Sequence, residues 1–297
     1  MADTGRNFGL SGAALKWIAM ITMLIDHIGA VVMEYGLYYQ GGAETFRKLL
    51  DSGNGQWLYT FQRLTRMVGR PSFLLYSFLL VEGFFHTRSR KRYTFQMLLF
   101  ALISEIPFDL AASNCWFYLG YQNVFFEFLI GLTVLWGMEQ AGILGKTPLT
   151  GEAGKIFVVV LGCMVAVFIQ ADYDYIGIII IAAFYEFHAS RAGRSLSAAV
   201  LGGVETLDLN FGIGALAAIP IWFYNGKRGN QRFKYLFYWF YPVHLMILVV
   251  VRSVTLGIVP TYDIFIKVCT QERNLLIVCR LFFWYNRTRY LLFETYE

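Results

Sequence analysis

Stretches of mostly apolar residues, each near the roughly 20 needed to cross the hydrocarbon core of a bilayer, recur along the whole chain. They fall near 14–35, 71–87, 94–112, 122–140, 155–170, 174–188, 196–208, 210–224 and 235–251. The seventh and eighth are short and share the corner Leu207, Asp208, Leu209, Asn210. A tenth candidate at 253–268 is interrupted by Gly257, Pro260 and Asp263. The expected fold is therefore an all-α polytopic bundle of nine to ten transmembrane helices, one domain over residues 1–297. Composition agrees: 57% of residues are hydrophobic and 15% charged, against about 25% charged in soluble domains. A disordered chain, a nucleic-acid-binding tail and an ordinary cytosolic enzyme are excluded. Cys115, Cys163, Cys269 and Cys279 form neither a close pair nor a metal spacing, so no metal is expected. Residues Met1 to Arg6 do not open a cleavable signal peptide.

Lysine and arginine give the direction of threading, because they stay on the cytoplasmic side of short loops. Arg88, Arg90, Lys91 and Arg92 follow the second span. Lys146 with Lys155, Arg191 with Arg194, and Lys227, Arg228, Arg232 and Lys234 occupy later alternate connections. The connections 113–121, 171–173 and 207–210 carry none. The N-terminus is thus expected inside, and the net charge of +5 reflects topology rather than nucleic-acid binding. Residues 36–70 break the pattern with Arg47, Lys48, Arg63, Arg66 and Arg70. Over 56–70, Arg63, Arg66 and Arg70 share one helical face and Leu58, Phe61, Leu64 and Val68 the other. This reads as an amphipathic helix on the outer surface, serving as a headgroup anchor or an acceptor site. Arg273, Arg280 and Arg287 among apolar and aromatic residues give 270–297 the character of a basic interfacial tail.

Ionisable groups inside a bilayer are costly and mark function by default. Lys16 and His27 lie eleven positions apart, on one helical face and about 16 Å apart, which puts His27 near mid-membrane with Asp26 a quarter-turn away. Glu105 and Asp109 stand one turn apart around Pro107. Asn123 and Glu127 open the fourth span, Glu82 lies in the second, and Tyr241 and His244 in the ninth. Together these form a polar constellation from mid-depth outwards, either an active or transport cavity or a helix-to-helix network. His86 and His188 lie at loop edges and carry no assignment. Zinc-protease, nucleophile-elbow, phosphate-loop and dinucleotide fingerprints are absent. A neutral imidazole near its ordinary pKa suits a general base.

Four ordered blocks carry a family resemblance: Leu10 to Gly29 with Lys16, Asp26 and His27; Gly69, Arg70 and Phe73 through Glu82 to Arg88; Ser104, Glu105, Pro107, Phe108 and Asp109; and Gln122, Asn123, Val124. They resemble the TraX family, integral membrane proteins named for the acetyltransferase of the conjugative pilin N-terminus. The resemblance is dense over 9–130 and returns at Tyr241 to Leu245. The chain is also similar to the acyltransferase-three superfamily, whose first helix carries an arginine, ten intervening residues and then a catalytic histidine, the spacing of Lys16 and His27. Lys16 stands in the arginine's place and Leu74 where TraX proteins often carry proline.

The resemblance implies transfer of an acetyl group from cytoplasmic acetyl-CoA to an amine or hydroxyl of an envelope acceptor, a pilin-like peptide or a glycan, at the bacterial inner membrane. In that reading His27 is the base, and Asp26 and Glu105 position groups or hold the imidazolium. Lys16, Arg88, Arg90, Lys91 and Arg92 bind the donor phosphates. Arg66, Arg70 and Asp109 guide the acceptor, Asn123 and Tyr241 face the oxyanion, and His244 lies on the acceptor side. The competing classes are a proton-coupled transporter or channel, and an envelope scaffold.

Overall fold

The computed structural model describes residues 9–39, 48, 51–230, 232 and 235–260. The tail at 270–297 and most of the tenth candidate span lie outside the described residues. Among them the chain is helical, with no strand beyond two isolated bridges.

Local sequence sets the helix boundaries. Ser11 caps α1 (Gly12–His27) by accepting from the Ala14 amide; directly after His27 the helix widens into a π-helix, Ile28–Tyr39. Ser52 caps α2 (Gly53–Gly69). Arg70 is the joint to α3 (Pro71–His86), where Pro71 opens the helix, a position whose amide has no helical partner to lose. Ser89 caps α4 (Arg90–Ser113), which contains Pro107. Asn123 caps α5 (Val124–Leu144), and a Thr147–Thr150 capping box starts α6 (Pro148–Ile169). Then come α7 (Asp174–Glu186) and α8 (Arg191–Glu205). A single turn, α9 (Leu207–Asn210), leads to a 3-10 segment (Ile213–Ala217) that runs into α10 (Ala218–Trp222). Finally α11 spans Leu236–Leu256 and ends at Gly257 in the left-handed region.

Among the described residues, five helices are long and apolar enough to cross a membrane: the first up to Gly36, then α4, α5, α6 and α11. The expected spans 196–208 and 210–224 are instead α8 and the short 213–222 element, which covers roughly half a bilayer core. Residues 257–260 are not helical, so α11 does not continue into the tenth candidate.

Leu15, Phe78, Phe84, Leu135 and Ile178 fill the centre of the bundle. Large apolar side chains also cover the outside, among them Phe157, Val160, Met164 and Phe168 of α6, as a lipid-facing surface requires. One end of the bundle gathers the basic connections. There the Gly12 and Ala13 amides donate to the Lys227 and Arg228 carbonyls, Arg228 bonds the His86 carbonyl, and Arg90 pairs with Glu139. At the opposite end Gln122 donates to the Gln170 carbonyl and Asn114 to that of Val259.

Candidate functional site

His27, the last residue of α1, is half-buried and meets the ninth residue of α11. Its Nδ1 lies 2.6 Å from Nε2 of His244, with the rings stacked at 4.9 Å between centroids. Nδ1 of His244 lies 2.6 Å from the Phe240 carbonyl. A carbonyl only accepts, so His244 keeps its proton on Nδ1 and offers the Nε2 lone pair. His27 must then donate from Nδ1, which leaves its Nε2 unprotonated and available as a base. Tyr241 closes one side, edge-on to both rings at 6.0 and 5.8 Å.

Asp26 does not face His27. Its Oδ2 takes Nη1 of Arg66 at 2.5 Å, while Nε of Arg66 reaches Glu34 at 3.3 Å. Gln62 donates to Glu34 at 2.7 Å. These contacts require α1 and α2 to run very close, which Gly29 against Thr65 and Gly69 against Asp26 permit. The polar face of α2 therefore turns into the bundle, with Gln62, Thr65 and Gly69 buried, while Leu58, Phe61, Leu64 and Val68 are exposed. Arg66 is thus committed to carboxylates rather than to headgroups. Arg70 has a buried Nε without a hydrogen-bond partner and lies in charge range of Asp26, Glu34 and Glu205.

Other expected residues take different roles. Asn123 is the N-cap of α5; its amide nitrogen donates to the Ala101 carbonyl at 2.9 Å and to Glu105 at 2.5 Å. Both of its donors are spent, so it is not a free oxyanion donor. Glu105 is held by that bond. Asp109 accepts the Tyr118 amide at 2.9 Å. Glu82 lies outside this constellation: it sits at the basic end, bonded to His188 at 2.8 Å, to Tyr224 at 2.9 Å and to Arg194 at 3.4 Å. His188, a loop-edge residue by sequence, is therefore a structural partner. Lys16 lies 5.3 Å from the Phe237 ring. Arg90 is bidentate on Glu139 and covers Phe84, whereas Arg88, Lys91 and Arg92 are exposed.

The sequence reading missed Asp172 and Tyr121. Tyr121 bonds Oδ1 of Asp172 in the short connection between α6 and α7. Burial pushes the Asp172 carboxyl up to about 6, against the Tyr121 hydrogen bond and the charge of Arg70. An acidic residue in a three-residue connection that carries no basic partner was the available signal. No group of three or more metal-ligating side chains occurs among the described residues.

The family model for the TraX protein matches residues 11–252. The chain is 29% identical over 265 residues to the "Probable fimbrial assembly protein FimC, serogroup H1" of Dichelobacter nodosus, covering 82% of this chain and 96% of that relative. No solved structure matches.

Proposed function

The chain belongs to the TraX family, and from that premise we propose that it is a membrane acyltransferase that acetylates an amine of an envelope acceptor, with cytoplasmic acetyl-CoA as donor. The observation that carries this reading is the relay His27–His244–Phe240, which fixes one imidazole in the tautomer a general base needs. His27 removes a proton from the acceptor nitrogen through Nε2 as that nitrogen attacks the thioester carbonyl. The resulting imidazolium is held through its Nδ1–H by His244. His27 then returns the proton to the departing thiolate.

Charge supports an amine over a hydroxyl. Asp26, Glu34, Asp172 and Glu205 surround Arg66 and Arg70, a balance that attracts an ammonium group. With Asn123 occupied, Tyr241 is the remaining oxyanion donor among those expected from sequence. At the basic end Arg88, Lys91 and Arg92 fit the phosphates of the donor, and Lys16 stands on the His27 helix between the two. In this reading that end faces the cytoplasm at a bacterial inner membrane, with the N-terminus inside, as the lysines and arginines of the alternate connections favour. The name of the fimbrial relative favours a pilin-like peptide as the acceptor.

The test is acetyl transfer from acetyl-CoA to a synthetic peptide with a free α-amine, using purified full-length protein in lipid nanodiscs. His27→Ala should abolish transfer while leaving membrane insertion and monodispersity intact. Retained transfer would remove His27 from the mechanism. Proton flux across vesicles without release of coenzyme A would favour the relay of a transporter instead.

A further inference from the structure

We propose that Asp172 is the residue that receives the acceptor's ammonium group and takes its first proton. The inference rests on the acyltransferase reading. Moving an acetyl group from a thioester to an ammonium yields an amide, a thiol and one net proton. Two N–H bonds must break. His27 accounts for one proton, which ends on the thiolate sulfur. The other must leave before attack, because a protonated amine has no lone pair.

Asp172 is placed for that step. It shares charge neighbours with His27: Arg66 and Arg70 act on both, and Tyr241, edge-on to His27, feels the Asp172 charge. Tyr121 holds Oδ1, leaving Oδ2 for a ligand. The connection is rigid. Gln122 and Ala171 bridge it to the start of α5, Gln170 takes a left-handed turn at φ 60°, and Tyr173 stacks on Phe73 at 3.5 Å. Behind it, Glu127 is fully buried with neither carboxylate oxygen hydrogen-bonded, and it lies within charge range of Asp172 and Asp174. The charged and titratable groups facing Asp172 are thus Asp26 from α1, Arg66 from α2, Arg70, Tyr121, Glu127 from α5, Tyr173 and Asp174 beside it, and Tyr241 from α11. In turnover the ammonium N–H bond breaks, an O–H bond forms on Oδ2, and Asp172, only half-buried, releases the proton to water at its own end of the bundle.

The experiment compares two nucleophiles with acetyl-CoA and the full chain in nanodiscs: a peptide α-amine, which arrives protonated, and hydroxylamine, which arrives largely neutral. Asp172→Asn should lower peptide acetylation at neutral pH by about 10²-fold, recover as pH rises, and lower hydroxylamine acetylation by a far smaller factor. Tyr121→Phe removes a hydrogen bond to the carboxylate, so it should move the acid limb of the peptide profile to higher pH and leave the hydroxylamine profile in place. Equal loss with both nucleophiles, or no loss with either, overturns the role of Asp172 while the wild-type activity stands. Absence of transfer by the wild type to either nucleophile overturns the acyltransferase reading, and this inference with it.

Discussion

An imidazole is fixed as a base at one ring nitrogen when an acceptor holds the N–H of the other. His244 supplies that acceptor, and the Phe240 carbonyl fixes the tautomer of His244 in turn. In the proposed reaction His244 is therefore a positioning residue. His244→Ala should lower kcat by about 10²-fold or more with the donor KM unchanged. His244→Gln, whose side-chain oxygen can accept from His27 Nδ1, should restore part of kcat. A parallel rise in KM, or no rescue by glutamine, would mark a merely structural role. His27 could be singled out in the sequence because, with Asp26, it interrupts an apolar run. The pairing could not be, since its partner lies 217 positions away. Asn123 was misassigned although its local signal was present: an asparagine just before an apolar run is an N-cap first, and a capping side chain has little left to offer a substrate.

Helix contacts make the site possible through two glycines. A Cβ on Gly69 would collide with the Asp26 side chain, whereas Gly53 on the same helix has nothing within 4 Å. Gly69→Ala should therefore pry α2 from α1, weaken the Arg66–Asp26 pair and cost about 1–3 kcal/mol; Gly53→Ala should be silent. Denaturant titration of the two variants in the same detergent checks this, and equal stability would show that the close approach is not needed. Most helix starts were readable from Ser, Thr, Asn and Pro at the boundaries. The orientation of α2 was not. Periodicity separates an apolar face from a basic one, but cannot say that Asp26 and Glu34 wait inside for the arginine while the apolar face meets lipid. Nor does hydropathy distinguish a full span from the half-length 213–222 element, because burial against α8 needs the same apolar residues.

At the scale of the whole bundle, the proposed function divides between two ends joined by α1. If the basic end holds the donor, joint replacement of Arg88, Lys91 and Arg92 by glutamine should raise the KM for acetyl-CoA far more than that for the peptide, with wild-type affinity falling as salt rises. Equal changes in both constants would place the donor elsewhere. Arg90 belongs to a different class of residue despite its position in the same run, because Glu139 already satisfies it. The all-α membrane architecture was the most legible feature, since it follows from composition and spacing. The partition of charges into paired and unpaired was the least, since only packing decides it. The juxtaposition of α1 with α11 also carries a consequence for biosynthesis. His27 leaves the ribosome 217 residues before the neighbour that fixes its tautomer. A truncated or stalled chain lacking α11 would leave the tautomer of His27 unfixed, with no acceptor to direct Nε2 towards a substrate. In the proposed reaction, insertion of α11 beside α1 thus works as an interlock, arming the centre only once both helices are in place.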